Sequence, residues 1–76
     1  MIDLAALRRS AGLTQTELAA KLEVGQAQIS KIERQSDMLI STLASYLAAL
    51  GADAKLVVEL GGQAVTYDLT SGRRPK

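Results

Sequence analysis

Residues 12–34 read GLTQTELAAKLEVGQAQISKIER, and this stretch sets the architecture. Thr14 and Glu17 stand in T-x-x-E spacing, in which hydroxyl and carboxylate each satisfy an N–H left unpaired where a helix begins. Leu18, Ala19 and Leu22 come next as one apolar stripe, so the pattern predicts a helix from Gln15 to Leu22. Val24-Gly25 interrupts the stripe, and glycine is an acceptable N-cap for a second helix. From Gln26 to Arg34 only Ile29 and Ile32 face inward, while Gln26, Ala27, Gln28, Ser30 and Lys31 take the outer side. An outer face of amides, a hydroxyl, an ammonium and a methyl suits base edges and phosphates.

Two short amphipathic helices with a tight joint make a helix-turn-helix. The region from Leu4 to Gly51 resembles the phage-repressor-like family of Xre or Cro type. The resemblance is carried by Leu7-Arg8, Gly12-Leu13-Thr14-Gln15, Glu17-Leu18-Ala19, Val24, Ile29-Ser30-Lys31-Ile32-Glu33-Arg34, Ser41-Thr42-Leu43 and Ala49-Leu50-Gly51. A plain helical bundle of the same periodicity explains the leucines. It does not explain the small, polar outer face of the second helix of the pair. Two positions depart from the family pattern: Gln35 stands where glycine is expected, and Gly25 where serine is usual. A non-glycine residue in a left-handed cap costs on the order of 1 kcal/mol, so either Gln35 accepts that strain or the helix ends differently.

The resemblance implies a role for each matched residue. Gln15 grips a phosphate at a helix N-terminus. Gln26 and Gln28 read bases, because a carboxamide can bond adenine N6 and N7 together, and Ala27 lets the helix sit deep against a thymine methyl. Ser30, Lys31 and Arg34 hold the DNA backbone, with Lys31 also able to reach guanine. Arg8 and Glu33 form an ion pair buttressing the motif, and Arg9 faces DNA or solvent.

On either side of this pair, the expected fold is mainly α, four short lambda-repressor-like helices followed by a C-terminal β-hairpin. Asp3 can cap a helix from Leu4 to Ala11, with Leu4, Leu7 and Ala11 inward and Gly12 closing it. Gln35-Ser36-Asp37 is a polar turn, and Ser41 can cap a fourth helix bearing Leu43, Tyr46, Leu47 and Leu50, closed by Gly51. The predicted core is Leu7, Leu13, Leu18, Leu22, Val24, Ile29, Ile32, Leu43, Leu47 and Leu50. After Gly51 the period changes to two. Leu56, Val58 and Leu60 share one face, and Val65, Tyr67 and Leu69 alternate after Gly61-Gly62-Gln63, which reads as a hairpin. Two strands alone are marginal in water, so the apolar face must pack on the helices or an edge must pair with a second copy, and Leu56, Val58, Leu60, Val65, Tyr67 and Leu69 are the expected dimer interface. The organisation expected is residues 1–53 for DNA binding, 54–69 for dimerisation and 70–76 as a disordered basic tail.

Composition bounds the function. With 76 residues there is one small core, of a size that often needs a partner. The absence of cysteine and histidine leaves no disulfide, no thiolate site and no base to activate a hydroxyl, so neither a cofactor nor an enzyme is expected. No apolar run approaches a membrane span, and Met1 is not followed by a basic, then apolar leader, so the cytoplasm is the expected location. The net charge is +1. Residues 1–53 carry Arg8, Arg9, Lys21, Lys31 and Arg34 against Asp3, Glu17, Glu23, Glu33, Asp37 and Asp53, a balance of −1. Without bulk positive charge, DNA binding must depend on where the charges sit.

Proteins of this family bind palindromic operators in double-stranded DNA as homodimers, two reading helices about 34 Å apart. A short Xre-like domain with a terminal strand or hairpin also resembles antitoxins of type II toxin–antitoxin modules, HigA-like and HipB-like. That resemblance implies an autorepressor that neutralises a toxin, either a RelE/HigB-like ribonuclease or a HipA-like kinase. A stand-alone Xre-type repressor is the alternative. A protein-interaction module without DNA binding is a second, and salt-dependent DNA binding separates it from the others.

Overall fold

The computed structural model describes residues 2–70. Four helices, α1 (Leu4–Ser10), α2 (Gln15–Leu22), α3 (Gln26–Arg34) and α4 (Ile40–Ala49), are followed by strands β1 (Lys55–Leu60) and β2 (Gln63–Asp68). Asp3 caps α1, its carboxylate accepting from the Ala6 N–H at 3.0 Å. The capping box of α2 is complete: the Glu17 N–H donates to Thr14 Oγ1 at 3.0 Å, and the Thr14 N–H to Glu17 Oε1 at 2.8 Å. Leu4, Leu18, Ala19, Ile29, Ile32, Tyr46 and Leu47 form the buried core, with Leu13, Leu22, Met38, Leu43 and Leu50 packed against it.

Several expectations are corrected. Helix α1 ends at Ser10, and it buries Leu4 and Arg8 rather than Leu7 and Ala11, which are exposed. The reason is that Arg8 must turn inward to meet its partner on α3, which rotates its neighbour Leu7 outward. Val24 is also exposed, because it lies in the turn rather than on a helix face. Gln35 avoids the strained cap: it is extended, at φ −74° and ψ 139°. Among the described residues other than glycine, the left-handed one is instead Glu23, φ 58°, at the end of α2. Only three residues separate α2 from α3, so the chain must reverse sharply there, whereas five residues lead from α3 to α4. Ser41 does not cap α4. The helix begins earlier, behind Leu39, whose carbonyl accepts from the Leu43 N–H at 3.1 Å. Half-buried Met38 anchors the preceding loop on the core and sets that start.

The strands pair antiparallel with Leu56 opposite Tyr67, Val58 opposite Val65 and Leu60 opposite Gln63. Gln63 therefore belongs to β2, and the turn is Gly61-Gly62 alone, at φ 60° and 81°. Positive φ at both turn positions matches the right-handed twist of the strands, and glycine takes it without steric cost. Every strand residue is exposed. Leu69, expected at the dimer interface, is instead buried, its N–H donating to the Ala54 carbonyl at 2.9 Å. Thr70 is buried too, its hydroxyl accepting from the Ala54 N–H at 3.2 Å, so the expected disordered tail does not include it. The rest of that tail, 71–76, lies outside the described residues. Among the described residues, no helix is long and apolar enough to cross a membrane.

Candidate nucleic-acid interface

Helix α3 presents the candidate face because Ile29 and Ile32 commit its other side to the core. Gln26, Ala27, Gln28, Lys31 and Arg34 are exposed, and Ser30 is half-buried. Two residues of α-helix turn through roughly 200°, so Gln26 and Gln28 leave opposite flanks of α3 with Ala27 between them. Gln26 borders an open groove with Arg8, Arg9, Gly12, Thr14, Gln15 and Thr16. Gln28 borders another, with Leu22, Val24, Ile32, Ser41, Thr42 and Ser45. The two amides are not brought together. Gln15 and Gln26 are: the Gln26 side-chain Nε2 donates to Gln15 Oε1 at 3.2 Å.

Gln15 is anchored in turn. Its Nε2 donates to Glu33 Oε1 at 2.9 Å, joining the start of α2 to the end of α3. Arg8 meets the same carboxylate, Nε to Oε2 at 2.7 Å and Nη2 to Oε1 at 3.4 Å, while its Nη1 donates to the Leu13 carbonyl at 2.9 Å. Side-chain exposure is 10% for Arg8 and 5% for Glu33, so this is a buried pair rather than a surface one. The Tyr46 hydroxyl, from α4, donates to Glu33 Oε2 at 2.7 Å, with the Leu4 carbonyl a second acceptor at 3.1 Å. Glu33 thus ties all four helices together. Among the described residues no buried side-chain nitrogen or oxygen lacks a partner, the condition under which a buried polar network stabilises.

The electrostatics arise from this geometry. Burial pushes the Glu33 carboxyl up, but donors on Arg8, Tyr46 and Gln15 and the Arg8 charge outweigh it and hold it below its ordinary value. The hydrogen bond that Arg8 donates to Glu33 in turn raises Arg8, against its own burial. Burial, then the bond to Glu33, raises the Tyr46 hydroxyl far above the ordinary tyrosine range, so it stays a donor. Because Glu33 is lowered in the folded state, its contribution to stability is present above the ordinary carboxylate range and is lost as pH falls through its folded value. Urea unfolding at stepped pH is expected to show a flat profile near neutrality and a decline in acid, with Glu33→Gln removing part of that decline. The remainder includes Glu17, lowered by the Thr14 backbone N–H and then the Thr14 hydroxyl. An unchanged acid slope in the variant means Glu33 is not the titrating group.

The sequence reading missed Tyr46 as part of this site and treated it only as an inward face residue. A signal existed: with no Phe or Trp and two tyrosines in the chain, a tyrosine on an apolar helix stripe implies a buried acceptor for its hydroxyl. Among the described residues, no group of histidine, cysteine or carboxylate side chains could hold a metal ion.

Comparison with known proteins bears on the family and the fold. A helix-turn-helix family model matches residues 4–55. The chain is 34% identical over 62 residues to a protein of Mycobacterium tuberculosis named as an antitoxin, HigA2, covering 79% of this chain and 61% of that one. It is 38% identical over 71 residues to another from the same organism, also named as an antitoxin, HigA3, covering 90% of this chain and 63% of that one. It thus spans about three fifths of the length of these curated relatives. A solved HigA antitoxin, described as inducing DNA bending by a unique dimerization, superposes with a TM-score of 0.75 at 35% identity, over 88% of this chain and 93% of that one.

Proposed function

The chain belongs to the helix-turn-helix family of Xre/Cro type, a DNA-binding and non-enzymatic family, and on that basis we propose that it is the antitoxin of a type II toxin–antitoxin module. In this reading a homodimer represses its own operon from a palindromic operator and neutralises a toxin, of RelE/HigB-like or HipA-like kind. Residues 1–53 do the DNA reading and 54–69 join the two copies. The similarity to proteins named as antitoxins supports the module, and the DNA bending described for the solved relative is carried over as part of the same reading. A stand-alone repressor shares the DNA contacts but lacks the toxin. Co-expression with the product of the neighbouring reading frame separates the two, since an antitoxin relieves its toxicity.

The observation that carries the DNA reading is the amide relay at the start of α3, in which Gln26, next to exposed Ala27, is held by Gln15. An amide held in one orientation distinguishes adenine, which needs a donor and an acceptor together, from other bases. Gln15 also stands at the N-terminus of α2, where a phosphate is favoured. Gln28 reads from the other flank, and Ser30, Lys31 and Arg34 hold the backbone. Gln26→Ala and Gln28→Ala are each expected to cost about 1–3 kcal/mol of specific binding and to relax preference at one or two base pairs. Lys31→Ala is expected to weaken binding to all sequences alike and to reduce the salt slope by about 1. Operator titrations over a salt series measure all three. Full-strength, unchanged specificity in the double glutamine variant would falsify the assignment.

The dimer reading is supported by the hairpin. Leu56, Val58, Leu60, Val65 and Tyr67 share one face by register, and all are exposed in the single chain. Five apolar side chains on a two-stranded sheet that, among the described residues, is uncovered with both edges open are disfavoured in water. A second copy covers them and closes an isologous interface.

A further inference from the structure

We propose that Tyr46 is a positioning residue for DNA reading: through Glu33 and Gln15 it sets the direction in which Gln26 offers its amide at the start of α3. The inference rests on the reading of α3 as the DNA-reading helix and adds a residue on α4, inside the core, to its specificity.

Each link of the relay has a forced polarity. An ionised carboxylate only accepts, so Gln15 must turn its NH₂ to Glu33 and leave its carbonyl oxygen toward Gln26. That oxygen also only accepts, so Gln26 must turn its NH₂ to Gln15. Neither amide can flip without losing its bond. The polarity follows from the carboxylate itself, and whether Gln15 stays within reach of it depends on what holds Glu33 Oε1 in place.

Arg8 alone does not hold it. Its Nε bond to Oε2 is short at 2.7 Å, but the second arm reaches Oε1 only at 3.4 Å, and Nη1 is committed to the Leu13 carbonyl. A carboxylate free to rotate would close the bidentate fork on Arg8, the preferred geometry for this pair, and would draw Oε1 away from Gln15. The Tyr46 hydroxyl, 2.7 Å from Oε2, opposes that rotation. Its position is set by packing, since Tyr46 is fully buried in a core cluster otherwise made of Leu4, Leu18, Ala19, Ile29, Ile32 and Leu47. A phenol in an aliphatic core is unfavourable unless its hydroxyl finds a partner. Of its two acceptors, the Leu4 carbonyl at 3.1 Å and Glu33 at 2.7 Å, the nearer one heads the relay to the DNA-reading face.

The test selects binding sites from a fully randomised duplex pool with the full chain, as wild type, Tyr46→Phe, Gln26→Ala and the double variant. Tyr46→Phe keeps the ring in the core and removes only the hydroxyl. It is expected to lower the preference at the base pair read by Gln26 about fivefold, the range of one lost hydrogen bond, while affinity for unselected pool DNA and its salt slope stay unchanged. In the Gln26→Ala background it is expected to change nothing further at that base pair. If Gln26→Ala selects a different site but Tyr46→Phe selects the wild-type site at full preference, the relay is overturned and the DNA reading stands. If Gln26→Ala also selects the wild-type site, the reading fails and the inference with it. A Tyr46→Phe loss spread evenly over all sequences marks a merely structural role and overturns the proposal. A measurement on the wild type needs no variant: side-chain ¹H–¹⁵N signals of Gln15 and Gln26 are expected away from free-glutamine positions. Both lying at free-glutamine positions overturns the relay.

Discussion

Val58→Lys combined with Val65→Glu is expected to convert the protein to a monomer and to lower operator affinity by about 10²–10⁴-fold, the avidity lost when two linked binding heads are separated. The two positions face each other across the hairpin, at 51% and 67% exposure, so neither change disturbs the core. Opposite charges directly across a strand pair support the hairpin itself while making its apolar face polar. Sedimentation equilibrium reports the oligomeric state, and titration of a palindromic site reports the affinity. A dimer that persists at micromolar concentration moves the interface elsewhere, with exposed Leu39 and Ile40 at the start of α4 the next surface to probe. Truncation after Gly51 is the blunter experiment. It removes Ala52 and Ala54, which pack against the core, and the buried Leu69 and Thr70, so it confounds dimerisation with folding.

Arg8→Ala and Glu33→Ala are each expected to lower stability by about 2–4 kcal/mol. Breaking a buried pair by removing one partner typically costs about 3–5 kcal/mol, and some solvent access to both side chains places this pair toward the lower end. At roughly 4–8 °C per kcal/mol for a domain of this size, either change lowers Tm by about 10 °C or more. Glu33→Ala also takes from Gln15 its acceptor and from Tyr46 the shorter of its two, leaving the Leu4 carbonyl, and Arg8→Ala removes a donor from the Leu13 carbonyl. The double variant is expected to lose clearly less than the sum of the two, because a partner already gone cannot be lost again. Thermal unfolding of all four chains checks this. Strictly additive losses mean that the contact contributes nothing to the folded state. A pair at the protein surface would give only about 0–1 kcal/mol, so the size of the effect itself reports the burial.

The readable part of the molecule was that governed by local rules. Thr14 and Glu17 specify the start of α2 because a capping box needs only residues within one turn of each other. The period-two runs on either side of the glycines specify a hairpin, because alternation and a glycine turn are local signals, although the turn itself is Gly61-Gly62 and not Gly61-Gly62-Gln63. The outer face of α3 was legible for the same reason: two isoleucines at i and i+3 leave the other side to solvent. Boundaries that depended on distant contacts were not. Ser41 carries the chemistry of a cap, yet α4 starts before it, since Met38 is held by the core. Leu69 continues the alternation of β2 but turns in at the hairpin base.

Spacing within a few positions was enough to dictate four helices, their order, the hairpin and the set of polar residues on α3. Packing between distant elements chose which side of α1 is buried, where the left-handed turn falls, and how Arg8, Gln15, Glu33 and Tyr46 meet. The last of these could not be settled locally. Arg8 and Glu33 lie 25 residues apart, and Tyr46 a further 13 along. An ionised carboxylate placed among four packed helices draws every available donor toward itself, since leaving it unpaired in a core costs more than rotating α1 or exposing Leu7. That requirement arises only once the helices are packed.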